Sequence, residues 1–185
     1  ADQKVHYIDA PVTGGTEGAQ AGTLTVLAGG EPSTLERARP VLDTIGSTIH
    51  HFGPVGSGQQ VKAVNQVLVA GSYAAVAEAL ALGERLGLAM PAVVDALRHG
   101  AAGSWALSHR SRAMLEGHYP LGFRLALHHK DLGIALGAAA DVNLNLPIAT
   151  QVRAMEQDLM TRGHGDEDVS CLRRWLDQDP TPSEP

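Results

Sequence analysis

The stretch Gly53–Leu88, which reads GPVGSGQQVKAVNQVLVAGSYAAVAEALALGERLGL, decides the fold. It opens with glycines, where backbone can approach a ligand closely, and contains no proline after Pro54. Ala, Val and Leu occupy most of its surface, so it predicts one helix of about 30 residues, roughly 45 Å long. A helix that is apolar on most faces is buried on several of them. The rest of the protein is therefore expected to cover this helix.

Three polar side chains interrupt the apolar surface near the start of this helix: Lys62, Asn65 and Gln66. Their i, i+3, i+4 spacing places an amine and two carboxamides on one face. An ammonium group among apolar residues has to be paired, neutralised or used in chemistry. This face is the first candidate site, although Lys62 taken alone fits a lysine that snorkels towards solvent equally well.

The residues before Gly53 predict the last part of an α/β sheet in the order β-β-α-β. The predicted elements are strands at Val5–Ile8 and Thr23–Ala28, a helix from Glu31 to Ile45, and a strand at Thr48–Phe52. After the first strand, Thr13-Gly14-Gly15 presents a hydroxyl and backbone N–H groups. This tripeptide predicts either a small anion-binding concavity or an ordinary glycine-rich turn.

The residues after Leu88 predict helices only. The expected helices are Pro91 to His99, one from the N-cap Ser104 to Glu116, Phe123 to Asp141, Pro147 to Gly163, and one capped by Asp166 that ends at Leu176. The predicted domains are therefore residues 1–52, the sheet part, and 53–178, the helical part. The proline-rich tail 179–185 is expected to be disordered.

Composition excludes several classes of function. The net charge of −6 is spread along the chain without runs, which argues against nucleic acid and anionic membranes as partners. The single cysteine, Cys171, allows no internal disulfide and predicts a cytoplasmic location. The polar residues of the long helix argue against a membrane span. His128 and His129 have no partner at a metal-ligand spacing, so packed or solvated histidines are expected, with no metal site.

Three motifs together resemble the β-hydroxyacid dehydrogenase family: Asp9-Ala10-Pro11-Val12-Thr13-Gly14-Gly15, Gly56-Ser57-Gly58 followed by Lys62-Ala63-Val64-Asn65-Gln66, and Lys130-Asp131-Leu132. The family includes 3-hydroxyisobutyrate dehydrogenase, and the Lys-x-x-Asn-Gln form is most similar to its tartronate semialdehyde reductase (2-hydroxy-3-oxopropionate reductase) branch. The resemblance implies a mainly α fold. A helical domain like the C-terminal domain of 6-phosphogluconate dehydrogenase would follow the trailing part of a Rossmann domain. No G-x-G-x-x-G motif is present, so the main cofactor-binding half is expected to lie outside this sequence.

The resemblance also implies a function: NAD- or NADP-dependent reduction of a small semialdehyde acid to a β-hydroxyacid, or the reverse. It assigns Lys62 as the catalytic general acid/base. For this role, burial would have to lower the pKa of Lys62. The other implied roles are substrate-carboxylate binding by Thr13, Gly14 and Gly15, orientation of substrate and lysine by Asn65 and Gln66, and cofactor contact by Lys130, which Asp131 orients. The family usually has Ser where this chain has Thr13.

Two further interpretations remain open. Relatives that reduce imines tend to carry Asp or Tyr in place of the lysine, so Lys62 argues against that activity. A non-catalytic helical dimerisation module of the same fold is the alternative, since family members usually associate through the long helix. We therefore expect a homodimer or a higher homo-oligomer, with Glu78 contacting a neighbouring helix or subunit.

Overall fold

The computed structural model of the protein describes residues 5–177. The chain divides into two compact units, Ala1–Gln66 and Val67–Pro185, and each has its own hydrophobic core. The division falls inside the long helix, which begins in the first unit and continues in the second. The tail 179–185, for which the sequence predicts disorder, lies outside the described residues.

The first unit contains a small sheet around one central strand. Its elements are β1 (Ile8–Asp9), β2 (Val12–Thr13), α1 (Gly15–Ala21), β3 (Leu24–Gly30), α2 (Pro32–Leu42) and β4 (Gly46–His51). β1 and β2 pair antiparallel with successive stretches of β3, and β4 pairs parallel with β3. Pro11, which has no N–H to donate, separates β1 from β2. Its carbonyl accepts a hydrogen bond from the Leu27 amide at 2.8 Å, which joins the two short pairings.

The structure differs from the predicted β-β-α-β order by one strand, β2, and one helix, α1, both of which lie before β3. Two of the seven residues of α1 are glycines and only Gly18 is buried, so no apolar periodicity marks this helix in the sequence. The expected strand Val5–Ile8 is also wrong, because only Ile8 belongs to β1. The other two strands and the helix predicted for this unit are present, with ends that differ by a few residues.

The long helix is confirmed as α3 (Ser57–Arg85), whose 29 residues extend about 44 Å. One of the glycines at its start, Gly58, packs closely against the sheet. A Cβ atom on Gly58 would lie 2.1 Å from the Leu27 carbonyl oxygen, and one on Gly29 would lie 3.0 Å from the Gly58 nitrogen. Glycine at both positions therefore allows the first turn of α3 to pack directly against β3.

The second unit is all helical, which confirms the mainly α class. Its elements after α3 are α4 (Met90–Leu97), α5 (Trp105–Glu116), α6 (Leu125–Asp141), α7 (Pro147–Thr161) and a 3₁₀ helix (Val169–Asp177). Ser104 is the N-cap of α5, as the sequence predicts, because its hydroxyl accepts a hydrogen bond from the Leu107 amide at 3.0 Å. The prediction of a last α-helix capped by Asp166 is wrong. The 3₁₀ helix follows Asp168, whose carboxylate accepts the Ser170 N–H.

The apolar surface of α3 is used for packing in the second unit. By length and composition alone, α3 could cross a membrane. Its Ala70, Tyr73, Ala77 and Leu80 are, however, buried in the core of the helical unit. They belong to one core cluster with buried side chains of the later helices, including Leu125, Leu132, Leu159 and Leu172. This core explains the apolar residues on the buried side of α3, whereas Leu68 and Leu82 of the same helix stay exposed.

Candidate functional site

Lys62 lies near the start of α3 and is partly buried. Its Nζ donates a hydrogen bond to the Val12 carbonyl oxygen at 2.9 Å. Val12 belongs to β2, so the lysine amine is held against the short strand segment that carries the Asp9–Gly15 motif. The structure thus brings together two motifs that are separated by about 50 residues in the sequence.

Thr13, Asn65 and Gln66 form a chain of hydrogen bonds beside this amine. The Thr13 hydroxyl donates to Asn65 Oδ1 at 3.4 Å, and Asn65 Nδ2 donates to Gln66 Oε1 at 2.9 Å. Gln66 is only 1% exposed, whereas Thr13 and Asn65 are partly exposed. Thr13 and Asn65 are therefore accessible to a small molecule, and the buried Gln66 accepts a hydrogen bond that holds the Asn65 amide in place.

Gly14 and Gly15 form the bend between β2 and α1, and both are exposed. Their φ angles are +131° and +65°, in the region that residues with side chains rarely adopt. The bend therefore requires glycine at both positions. It places accessible backbone next to the Thr13 hydroxyl, where an anion could bind.

Asp9 is a residue of this region to which the sequence assigns no role of its own. It is 7% exposed, and its two carboxylate oxygens accept hydrogen bonds from the backbone N–H groups of Gly56, at 2.6 Å, and Gln59, at 2.8 Å. No local pattern in the sequence identifies this contact, because its partners lie 47 and 50 residues further along the chain.

Lys130 and Asp131 lie on α6 in the second unit. Lys130 Nζ is 2.8 Å from Asp131 Oδ1, and the side chains are 63% and 17% exposed, respectively. The Asp131 carboxylate therefore contacts the charged end of the exposed Lys130 side chain. Orientation of Lys130 by Asp131 and contact of Lys130 with a cofactor both stay predictions.

His128 and His129 are packed in the helical unit around Glu156, a partner that sequence reasoning missed. His128 Nδ1 is 2.5 Å from Glu156 Oε1, and His129 Nδ1 is 4.0 Å from Glu156 Oε2. His128 and Glu156 are fully buried, and burial, followed by the charge of Arg153, lowers the pKa of His129. Among residues 5–177, no group of three His, Cys, Asp or Glu side chains is arranged to hold a metal ion. Burial also raises the pKa of Cys171 to about 12, which disfavours the thiolate form of this side chain.

Comparison with known protein families matches two descriptions to this chain. Residues 56–176 match the family described as NAD-binding of NADP-dependent 3-hydroxyisobutyrate dehydrogenase. Residues 1–53 match the NAD binding domain of 6-phosphogluconate dehydrogenase. The boundary between the two matches, at residues 53–56, lies just before α3.

Individual relatives agree with these matches. 2-(Hydroxymethyl)glutarate dehydrogenase of Eubacterium barkeri is 36% identical over 96% of this chain and 60% of its own length. 2-Hydroxy-3-oxopropionate reductase of Escherichia coli is 36% identical over 92% of this chain and 59% of its own length. The structure of Mycobacterium tuberculosis 3-hydroxyisobutyrate dehydrogenase with L-serine is 34% identical, with a TM-score of 0.81 over 92% of this chain and 61% of that one. The chain thus spans about 60% of the length of these relatives.

Proposed function

The chain belongs to the β-hydroxyacid dehydrogenase family, among the 3-hydroxyisobutyrate dehydrogenase-like members, and we propose that it carries the substrate-binding part of such an enzyme. The proposed reaction is the NAD- or NADP-dependent interconversion of a small β-hydroxyacid and its semialdehyde. The observation that carries this proposal is the Lys62 amine, which lies on the Val12 carbonyl next to the Thr13–Asn65 pair.

In the proposed mechanism Lys62 is the general acid/base. During reduction its ammonium group donates a proton to the carbonyl oxygen of the aldehyde, and during oxidation its amine takes the proton of the hydroxyl group. The Val12 carbonyl suits this role, because it accepts a hydrogen bond and so holds the amine without removing its proton. A carboxylate at the same place would instead favour the charged form and resist the transfer.

The substrate carboxylate is proposed to bind at the Thr13-Gly14-Gly15 bend. The Thr13–Asn65 hydrogen bond is long, at 3.4 Å, so the hydroxyl can turn to a carboxylate, which is a stronger acceptor. The relatives named for 2-(hydroxymethyl)glutarate and 2-hydroxy-3-oxopropionate act on compounds that carry a carboxylate together with a hydroxyl or aldehyde group. A substrate of this class would meet the bend and Lys62 at once.

The described residues fit only one part of a nicotinamide dinucleotide. Lys130 provides an exposed cation that suits a phosphate or a ribose hydroxyl. The first turn of α3 is unsuitable for a pyrophosphate, because Asp9 already accepts two of its N–H groups. When bound, the cofactor supplies or accepts the hydride at the carbon that bears the reacting oxygen.

Replacement of Thr13 by alanine tests the carboxylate site. We expect KM for a carboxylate substrate to rise about tenfold with kcat changed little, because the carboxylate charge is the same in the ground state and the transition state. Thr13→Ser, which keeps the hydroxyl, is the matched control and should retain the original KM. Steady-state kinetics in a longer protein with a complete nucleotide-binding domain measures both. A fall in kcat at unchanged KM would show that Thr13 acts on the reacting oxygen instead.

Association through α3 is also proposed. In the second unit one face of this helix stays exposed, and it carries Leu68, Ala75, Ala79 and Leu82 at helical spacing. Leu68 and Leu82 are 69% and 61% exposed, and the alanines between them would let a partner helix come close. Glu78 is exposed on the same helix, where a second subunit could reach it.

We expect the chain to sediment as a dimer or higher oligomer at micromolar concentration. Leu68→Glu combined with Leu82→Glu should raise the dissociation constant at least about 100-fold, because each buried leucine contributes about 1.5–3 kcal/mol. Leu144→Glu is the control, since Leu144 is 56% exposed and lies outside α3. Analytical ultracentrifugation measures all three proteins. A wild-type monomer, or an equal effect of the control, would contradict association through this face.

A further inference from the structure

The carboxylate of Asp9 lies at the start of α3, about 50 residues further along the chain. It accepts the N–H groups of Gly56 and Gln59 with both of its oxygens. The first N–H groups of any helix lack partners within the helix, and a negative charge is stabilised there by the helix dipole. Asp9 therefore caps the start of α3 from a distant part of the chain.

The position of this carboxylate is tightly enclosed. Cβ atoms added to Gly29 and Gly58 would lie 2.3 Å and 2.8 Å from its two oxygens. Backbone thus surrounds Asp9 on two sides, and its side chain is 7% exposed. The carboxylate has little room to move without moving the start of α3 with it.

Three contacts join the segment 8–13 to the first turns of α3, in the same order along both, and the Asp9 contact is the first of them. Asp9 meets Gln59, Val12 meets Lys62, and Thr13 meets Asn65. The positions advance by three residues and then by one along the strand segment, and by three residues each time along α3, which is slightly less than one turn. The Asp9 contact is the strongest of the three, because it is charged, buried and made by two hydrogen bonds.

We propose that Asp9 is a positioning residue that sets the register between the segment 8–13 and the first turns of α3. It thereby fixes where the Lys62 amine lies relative to Val12 and Thr13. Asp9 itself touches no substrate. The importance of the Lys62 position rests on the proposed dehydrogenase function, whereas the register that Asp9 sets does not.

Competitive labelling of lysines in this chain tests the proposal. The chain has only three lysines, Lys4, Lys62 and Lys130, so trace acetic anhydride labelling followed by mass spectrometry separates them. In Asp9→Asn we expect Lys62 to react about fivefold faster relative to Lys130, as the loss of one net hydrogen bond would predict. Asp43→Asn, which changes an exposed carboxylate of the same unit, should leave this ratio unchanged.

A folded Asp9→Asn chain with an unchanged Lys62 ratio would overturn the proposal, even if its stability has fallen, because Asp9 would then only stabilise the fold. If that variant does not fold, the wild-type chain in sub-denaturing urea decides. The Gly56 and Gln59 amides should lose their protection from hydrogen exchange at the urea concentration at which Lys62 labelling rises. If amide protection and Lys62 labelling change at different urea concentrations, Asp9 does not set the position of Lys62. Neither result bears on whether Lys62 transfers a proton, which turnover measurements alone decide.

Discussion

Replacement of Lys62 by alanine will lower kcat by about 10²–10⁴-fold, the range expected for the loss of a general acid/base. Substrate binding should change less, because the Thr13-Gly14-Gly15 bend remains. Alanine does not replace the packing of the lysine side chain. Because Lys62 is only partly buried, the fold should nevertheless persist. The measurement is steady-state turnover of a small β-hydroxyacid with NAD and NADP, in a longer protein that includes a complete nucleotide-binding domain.

Lys62→Arg is the matched variant for this experiment. Arginine keeps the positive charge and the hydrogen-bonding capacity but does not give up its proton in proteins. We expect its kcat to remain low, which separates proton transfer from simple attraction of an anion. Near wild-type turnover of Lys62→Ala would contradict the mechanism. It would also favour the alternative of a non-catalytic association module, which needs the exposed face of α3 but not Lys62.

The sequence predicts the long helix and the shared face of Lys62 and Asn65 because both follow from local spacing. The helix has glycines before it, no internal proline and apolar residues throughout, so its observed bounds, Ser57–Arg85, lie within a few residues of those expected. The family could likewise be identified from three motifs in a fixed order. The catalytic role of Lys62 stays a prediction, although its contact with Val12 places the amine beside the Thr13 motif as the role requires.

The contacts that the sequence does not predict are those between residues far apart in the chain. Asp9 accepts the N–H of Gly56, 47 residues after it and just before α3, and Glu156 packs on His128 across 28 residues. Hydrophobic periodicity carries information about the nearest turns only, so it identifies neither partner. In both cases the sequence shows a polar residue in an apolar context. It does not show which group satisfies that residue's hydrogen bonds once it is buried.

Asp168 is the clearest example in the helical unit, because the sequence favours Asp166, two residues earlier, as the cap. The Asp168 side chain is fully buried, and its carboxylate accepts hydrogen bonds from four donors. The donors are the Gly122 and Phe123 amides, at 3.0 and 2.8 Å, and the amide and hydroxyl of Ser170, at 3.0 and 2.6 Å. Arg110 Nε lies 3.5 Å away and balances the charge. One carboxylate thus joins the loop before α6 to the start of the 3₁₀ helix.

We expect Asp168→Ala to lower the free energy of unfolding by about 3–5 kcal/mol, since it removes the buried carboxylate that balances the Arg110 charge and accepts four hydrogen bonds. Asp166→Ala is the matched control: its side chain is 90% exposed and its only ion pair in the described chain is a surface contact with Arg124, so a loss of less than about 1 kcal/mol is expected. Urea unfolding followed by circular dichroism measures both. Equal losses in the two variants would show that the buried carboxylate does not hold these elements together. A large loss confined to Asp168→Ala would establish that the end of the helical unit depends on a single buried charge.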